Sequence, residues 1–501
     1  MERRGFKLAD EKNYVIEAEK HVQENAEKGK NSPYKMAYHI VPPASWMNDP
    51  NGLIYWEGYY HVFFQFHPYD VKTGWMHWGH VRSKDLVHWE RLPIALYPLE
   101  EYDCDGCFSG CAVNDNGILT LVYTGNIFID KKLDVVDECQ CIATSVDGIH
   151  FEKDLSNPVI NKHPETGSGH FRDPKVWKKD GYWYMAVGTR KNHTGKVLLY
   201  RSECLRNWDY IGVMAESDEE KGYMWECPDF FELEGKQILL ASPQGMEARG
   251  DSYQNLYQSV YMIGELDYQS GKYSYHTFKE LDGGFDFYAP QTFMDHKGRR
   301  LIFAWMDMWE SKMPSQKYGT AGSLTIPREL VFRENRLVMK PAEDLKLLRG
   351  KKADIPAFIS KGEQLIPEIK GDTLEICVSF DLASSDASEF GLKVRCSEDG
   401  REETAVSYSQ KDGYLTFNRN KSGEGDGGVR RVKLQMRDAA ALTLHLFLDK
   451  YSLEIFANDG EAVMSGRIYP SQESRDIKIF SANGTLSVAS LECWNLKDIW
   501  A

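Results

Sequence analysis

The sequence predicts an all-β protein: a five-bladed β-propeller followed by a C-terminal β-sandwich, with a short N-terminal helix ahead of both. Two observations lead there. From about residue 38 the chain breaks into short aromatic and β-branched runs separated by Gly, Asp and Asn, the texture of consecutive short strands. One pattern then recurs, a turn glycine followed by an apolar run: Gly58–Gln65, Gly117–Thr124, Gly181–Gly188, Gly235–Ser242 and Gly298–Trp305. The glycines are 59, 64, 54 and 63 residues apart, room for a four-stranded sheet each time. Five such units over residues 35–340 make a propeller.

Ahead of it, residues 1–34 read as a helical extension. The stretch from 9 to about 30 is rich in Glu, Lys and Ala with sparse apolar positions, an exposed amphipathic helix that packs and does no chemistry. The start, Met1-Glu2-Arg3-Arg4-Gly5-Phe6-Lys7, has no apolar segment after its charges, and no run of the chain is long enough to span a bilayer. A cytoplasmic protein is expected. Beyond the propeller, residues 341–371 open on Pro341 and carry Lys and Gly, which reads as a linker. Residues 372–501 then alternate again, as in Thr373–Phe380 and Leu442–Leu448, and are expected to form a sandwich that covers one side of the propeller.

Composition sets the bounds on function. At 501 residues and 42% hydrophobic content the chain exceeds what one core serves. Its 75 acidic against 60 basic residues, a net charge of −15, repel nucleic acid and anionic membrane surfaces as partners. Ten cysteines diluted in so long a chain read as reduced thiols. Cys104, Cys107 and Cys111 lack a fourth ligand at paired spacing, and His77 and His80 lie on a strand, so no metal site is expected.

The chemistry-bearing stretches are Trp46-Met47-Asn48-Asp49-Pro50-Asn51-Gly52, Phe108-Ser109-Gly110, Arg172-Asp173-Pro174 and Glu226-Cys227. Taken locally, Asp-Pro-Asn-Gly is a type I turn. The stretches fall in phase with the repeat, however: Asp49, Gly110, Asp173, Glu226 and Tyr288 each precede the turn glycine of their own unit by 7 to 10 residues. Equivalent positions in successive blades are related by rotation about one axis. Side chains far apart in sequence therefore converge on the mouth of one funnel.

In this order the motifs resemble glycoside hydrolase family 32, the invertases, sucrose-6-phosphate hydrolases and fructanases, over the propeller and most of the sandwich. Glycoside cleavage needs one carboxylate at the anomeric carbon and another to protonate the leaving oxygen. The resemblance makes Asp49 the nucleophile, Glu226 the general acid/base and Asp173, beside Arg172, the transition-state stabiliser. It also implies retention, about 5–5.5 Å between the Asp49 and Glu226 carboxyls, and no metal or organic cofactor. Asn48, Gln65, Trp78, Phe108, Ser109, Tyr288 and Trp305 then look like sugar-pocket lining. Turn N–H groups are expected to favour the ionised form of Asp49. Glu226, within Tyr-Met-Trp-Glu-Cys-Pro, is expected in an apolar setting, so that the two acids take opposite roles.

One departure concerns the leaving group. Thr73-Gly74 stands where the family commonly has Trp-Gly, with a tryptophan displaced to Trp75, so the pocket wall there is expected to be rebuilt. The expected activity is hydrolysis of sucrose 6-phosphate or sucrose, and the missing export signal favours the phosphorylated sugar. Arg190, Lys191 and Lys196 lie in a region able to reach a phosphate, although solvated basic residues are the commoner case. Within the family the alternatives are fructan hydrolysis and fructosyl transfer; outside it, an inverting arabinanase-type propeller glycosidase or a sugar-binding lectin that Glu226 argues against.

Overall fold

The repeat glycines all occupy one structural position, the turn between the first and second strands of a blade. Gly58, Gly117, Gly181 and Gly235 follow Glu57, Asn116, Asp180 and Glu234, and all eight residues have positive φ. That is the two-residue hairpin turn whose twist matches its flanking strands. In the fifth blade Gly298 (φ 75°) ends a longer turn. The computed structural model describes residues 8–434 and 440–500, with side chains from residue 13. The charged start read for an export signal lies in residues 1–7, outside the described residues, as do 435–439 and 501.

Five antiparallel sheets follow in sequence. Blade I is Ser45–Trp56, Tyr59–His67, His77–Ser83 and Trp89–Leu96; blade II begins Gly106–Asp115 and Ile118–Asp130 and continues with Val135–Ser145 and Glu152–Lys153. Blade III is Phe171–Lys179, Tyr182–Lys191, Thr194–Ser202 and Asp209–Glu216; blade IV starts with Met224–Leu233 and Lys236–Gln244, then Val260–Asp267 and Lys272–Tyr275. Blade V is Tyr288–Met294, Arg300–Trp305, Arg328–Arg333 and Arg336–Pro341. The first strands of neighbouring blades touch one another all the way round, so they line the axis. The ring closes where Thr320–Ala321 pairs in parallel with Ser45 and Trp46.

The C-terminal part is the expected sandwich, built as one 11-stranded sheet folded on itself. Its hinge is the 21-residue strand Asp476–Leu496, which pairs with Glu389–Cys396 in one half and with Leu374–Asp381 in the other. A shared core that includes Ile376, Phe390, Leu446, Ile455 and Ile479 fills the space between. The linker expected over 341–371 is instead folded. After the 3₁₀ turn Glu343–Leu348, Arg349–Ile355 and Phe358–Lys370 both pair with Asp476–Leu496. These strands face mostly solvent, so their Lys, Glu and Gly content hid them.

The helix Leu8–Lys30 clasps the rim of blade I. Ala18 and Val22 are buried, the Tyr14 hydroxyl bonds His77 Nε2 at 2.7 Å, and Glu19 accepts from the Ile94 N–H (2.7 Å) and the Tyr97 hydroxyl (3.0 Å).

Propeller and sandwich meet across buried charges. Arg328 of blade V bonds Glu454 (2.5 Å) of the sandwich and Asp282 (3.0 Å), all three side chains being wholly buried. His39 places one ring nitrogen on Asp449 (2.8 Å) and the other on Glu454 (2.9 Å). Burial works against its charge, but the two carboxylates outweigh it and hold His39 up to about 9. A pKa raised above the ordinary value of 6.5 stabilises fully below about 6.5 and ceases to as pH rises through about 9. The difference in melting temperature between wild type and His39→Gln is therefore expected to shrink from about pH 6.5 to above pH 9. A difference independent of pH means that the ring is not charged there.

Candidate active site

All five axial strands are interrupted at the motif that marks them. The pairing register slips between Met47 and Pro50, between Phe108 and Gly110, opposite Ala186 to Gly188 where Arg172 gives way to Lys175, between Glu226 and Asp229, and between Tyr288 and Gln291. Such bulges re-aim side chains and raise local twist. Asp173 (φ 65°), Cys227 (φ 47°) and Ala289 (φ 50°) take left-handed backbone at these points. Gly110 has no alternative residue, since a Cβ there meets the Val122 carbonyl oxygen at 2.0 Å.

The result is a cavity of about 340 Å³ at the axis, lined by Asn48, Asp49, Gln65, Phe108, Ser109, Arg172, Asp173 and Glu226 among others. That suits a small ligand. Asp49 Oδ1 accepts from Asn48 (3.1 Å), whose own carbonyl is fixed by Trp46 Nε1 (2.8 Å), and Oδ2 accepts from Ser109 Oγ (3.0 Å). Asp173 Oδ2 accepts from the Cys227 N–H (2.9 Å), and the Cys227 thiol lies 3.6 Å from Asp173 and 3.7 Å from Asp49. Glu226 Oε1 accepts two bonds from Arg172 (2.7 and 3.1 Å); Oε2 accepts from Gln244 (2.7 Å) and the Tyr288 hydroxyl.

Electrostatics differ from the sequence expectation. Burial raises Asp49 to about 6, against the bonds from Asn48 and Ser109 and with the charge of Glu226 adding to it. Burial takes Asp173 to about 8, opposed by Arg172 and assisted by Glu226. The stretch Asp49–Gly52 is no type I turn but part of the strand Ser45–Trp56, bulged twice, and the backbone group that bonds the carboxylate is the N–H of Asp49 itself. Nor is the setting of Glu226 apolar: four polar hydrogen bonds surround it, because Trp225 turns away into the core between blades III and IV.

Three expected lining residues stand behind the wall. Trp78 (0% exposed) packs on Phe63 and donates to the Phe108 carbonyl (3.1 Å). Trp305 (0% exposed) backs Trp46 and Trp309, of which Trp309 lines the cavity. Tyr288, also buried, acts on the cavity through its bond to Glu226. A bulge moves alternate side chains to the other face, so spacing alone does not say which aromatic points inward. Thr73 and Gly74 do line the cavity, while Trp75 lies outside it, its ring tilted against that of Tyr14 of the helix (5.0 Å) and its Nε1 donating to the Cys104 carbonyl (2.9 Å). Arg190 and Lys196 are engaged by Asp134 (2.7 Å) and Glu216 (2.9 Å), and Lys191 donates to the Glu165 carbonyl.

Sequence reasoning missed Phe128, Lys131, Asp134, Glu138 and His170, all of which line the cavity. The first three come from the hairpin between Ile118–Asp130 and Val135–Ser145, and no motif marks them. Among the described residues one trio of metal-type donors converges, Glu375, Cys377 and His445 on the sandwich. Arg349 already occupies both Glu375 oxygens at 2.7 Å, which leaves no carboxylate for an ion.

Family models match nearly the whole chain: the glycosyl hydrolases family 32 N-terminal domain over residues 39–341 and the family 32 C-terminal domain over 344–495. A sucrose-6-phosphate hydrolase of Zymomonas mobilis is 40% identical, covering 97% of this chain and 96% of the relative. A raffinose invertase of Escherichia coli is 43% identical over 92% and 94%. Among solved structures, a Bombyx mori β-fructofuranosidase variant in complex with sucrose superposes with a TM-score of 0.83 at 38% identity, covering 97% and 99%.

Proposed function

The chain belongs to glycoside hydrolase family 32, and on that premise we propose that its cavity hydrolyses the fructosyl bond of sucrose and sucrose 6-phosphate with net retention. Asp49 attacks the anomeric carbon while Glu226 gives its proton to the leaving glucosyl oxygen. Glu226 then takes a proton from water as that water displaces Asp49 from the fructosyl-enzyme. Asp173 and Arg172 hold the ring hydroxyls. The observation that carries this reading is the convergence of Asp49, Asp173 and Glu226, from blades I, III and IV, on one cavity.

Lys131 supports acceptance of a phosphorylated leaving group. Among the described residues that line the cavity, Arg172 is engaged by Glu138 and Glu226, whereas Lys131 makes no ion pair and lies over the Phe128 ring (4.3 Å). Reduced cysteines and no described helix long and apolar enough to cross a membrane are in keeping with a cytoplasmic enzyme.

The test is steady-state kinetics on sucrose, sucrose 6-phosphate, 1-kestose and inulin, with NMR of the first-formed fructose anomer. The β-anomer from both disaccharides is expected; the α-anomer overturns retention, and faster turnover of inulin moves the enzyme to the fructan branch. Lys131→Met is expected to lower kcat/KM about fivefold on sucrose 6-phosphate, the scale of one exposed charge pair, and less on sucrose. Equal losses on both sugars would assign Lys131 to the wall alone.

A further inference from the structure

A general acid has to carry its proton before it can give it away, yet every hydrogen bond to Glu226 comes from a donor. Arg172 Nε and Nη2 point at Oε1, and Gln244 and Tyr288 point at Oε2. An unshared guanidinium at that distance favours the carboxylate form and opposes the first chemical step. Something has to offset Arg172.

The geometry points to Glu138 as the positioning residue that does so: it holds the far side of the Arg172 guanidinium and shares its charge, so that Glu226 alternates between acid and base. Glu138 is 1% exposed on the strand Val135–Ser145 of blade II. Its Oε2 accepts from the Phe171 N–H (2.5 Å), which fixes the carboxylate, and both oxygens accept from Arg172 Nη1 (3.2 and 3.3 Å). Arg172 thus bridges two carboxylates, the partly exposed Glu226 and the buried Glu138, the second of them outside the reaction.

The other neighbours leave this role to Glu138. His170 touches Arg172 Nη1 at 3.1 Å but is held down to about 4 by burial and the guanidiniums of Arg172 and Arg190, so it is neutral and offsets nothing. Asp134 is engaged by Arg190 (2.7 Å). Asp49 and Asp173 approach Glu226 from blades I and III, and the proposed reaction uses both of them itself. The Tyr288 and Cys227 side chains are pushed upward by burial and stay neutral. Glu138 is itself raised by burial, opposed by Arg172, with the charge of Glu226 adding, which places the two carboxylates within electrostatic reach of each other.

This inference rests on Glu226 being the acid/base, and the experiment separates the two. The pH dependence of kcat/KM on sucrose is measured for wild type, Glu138→Gln, Glu138→Asp and Glu226→Gln. With the Glu138 charge removed, Arg172 serves Glu226 alone, and the alkaline limb is expected to move to lower pH by roughly one unit, the scale of one buried charge at an effective dielectric near 20. Glu138→Asp keeps the charge but withdraws it by a methylene. It is expected to shift the limb the same way by less, and it serves as the test if the Gln variant does not fold. A limb that stays in place while activity falls at every pH would mean that Glu138 only packs, and the inference is lost while the assignment of Glu226 stands. If Glu226→Gln keeps more than about a tenth of wild-type kcat, a far smaller loss than removal of a catalytic group brings, both are lost.

Discussion

Asp49→Asn is expected to reduce kcat on sucrose by about 10⁴-fold or more, the scale on which loss of a nucleophile acts, with little change in melting temperature. The amide keeps the shape and the bond from Ser109 (3.0 Å), so the cavity is preserved while the attacking oxygen loses its charge. The native carboxyl supplies a second, independent signature. Burial raises Asp49 to about 6, so it loses its charge as pH falls through that value, and kcat/KM in the wild type is expected to fall on the acid side near pH 6. Rapid-quench detection of a fructosyl-enzyme in wild type and its absence in Asp49→Asn would complete the assignment. A residual kcat above about a hundredth of wild type is too much for an enzyme without its nucleophile.

The second large effect is on stability. Arg328→Met is expected to cost about 3–5 kcal/mol, because it strands two charges where water cannot reach them. The guanidinium lies between the rings of Phe287 (4.9 Å) and Phe456 (5.1 Å) and also donates to Ser465 Oγ (2.5 Å). With it gone, Asp282 and half of Glu454 have no cationic partner, although His39 still holds the other Glu454 oxygen (2.9 Å). Adding Glu454→Gln to Arg328→Met is then expected to cost less than the sum of the two single changes. Denaturant unfolding measures both; a loss under about 1 kcal/mol for Arg328→Met would show that the charges find water or other partners.

How much of this was legible in the sequence depended on the kind of feature. The blade order was, because Gly58, Gly117, Gly181 and Gly235 answer one steric demand, a positive φ in a two-residue turn, and that demand repeats with the blade. Asp49, Asp173 and Glu226 could be placed on the axis because they keep phase with those turns. The bulges could not be seen, since one unpaired residue in a strand carries no composition of its own, and they decide which side chains face the cavity. Trp78 and Trp305 were therefore expected in the lining and lie behind it, while Glu138, between Asp137 and Cys139 on an unremarkable strand, was not noticed. The folded strands over 349–370 were hidden for the opposite reason: solvent faces most of their side chains, so no alternation marks them.

The strand Asp476–Leu496 also orders events during synthesis. Both halves of the sandwich hang from it, yet the ribosome makes it after every other strand of that sheet. Until it emerges, Leu374–Asp381 and Glu389–Cys396 have an unfilled edge each, and Glu454 has no finished sheet from which to reach Arg328. The nascent chain therefore passes through a stage with its blades complete and its C-terminal sandwich open, the stage at which unpaired edges invite association with other chains and a chaperone has most to protect.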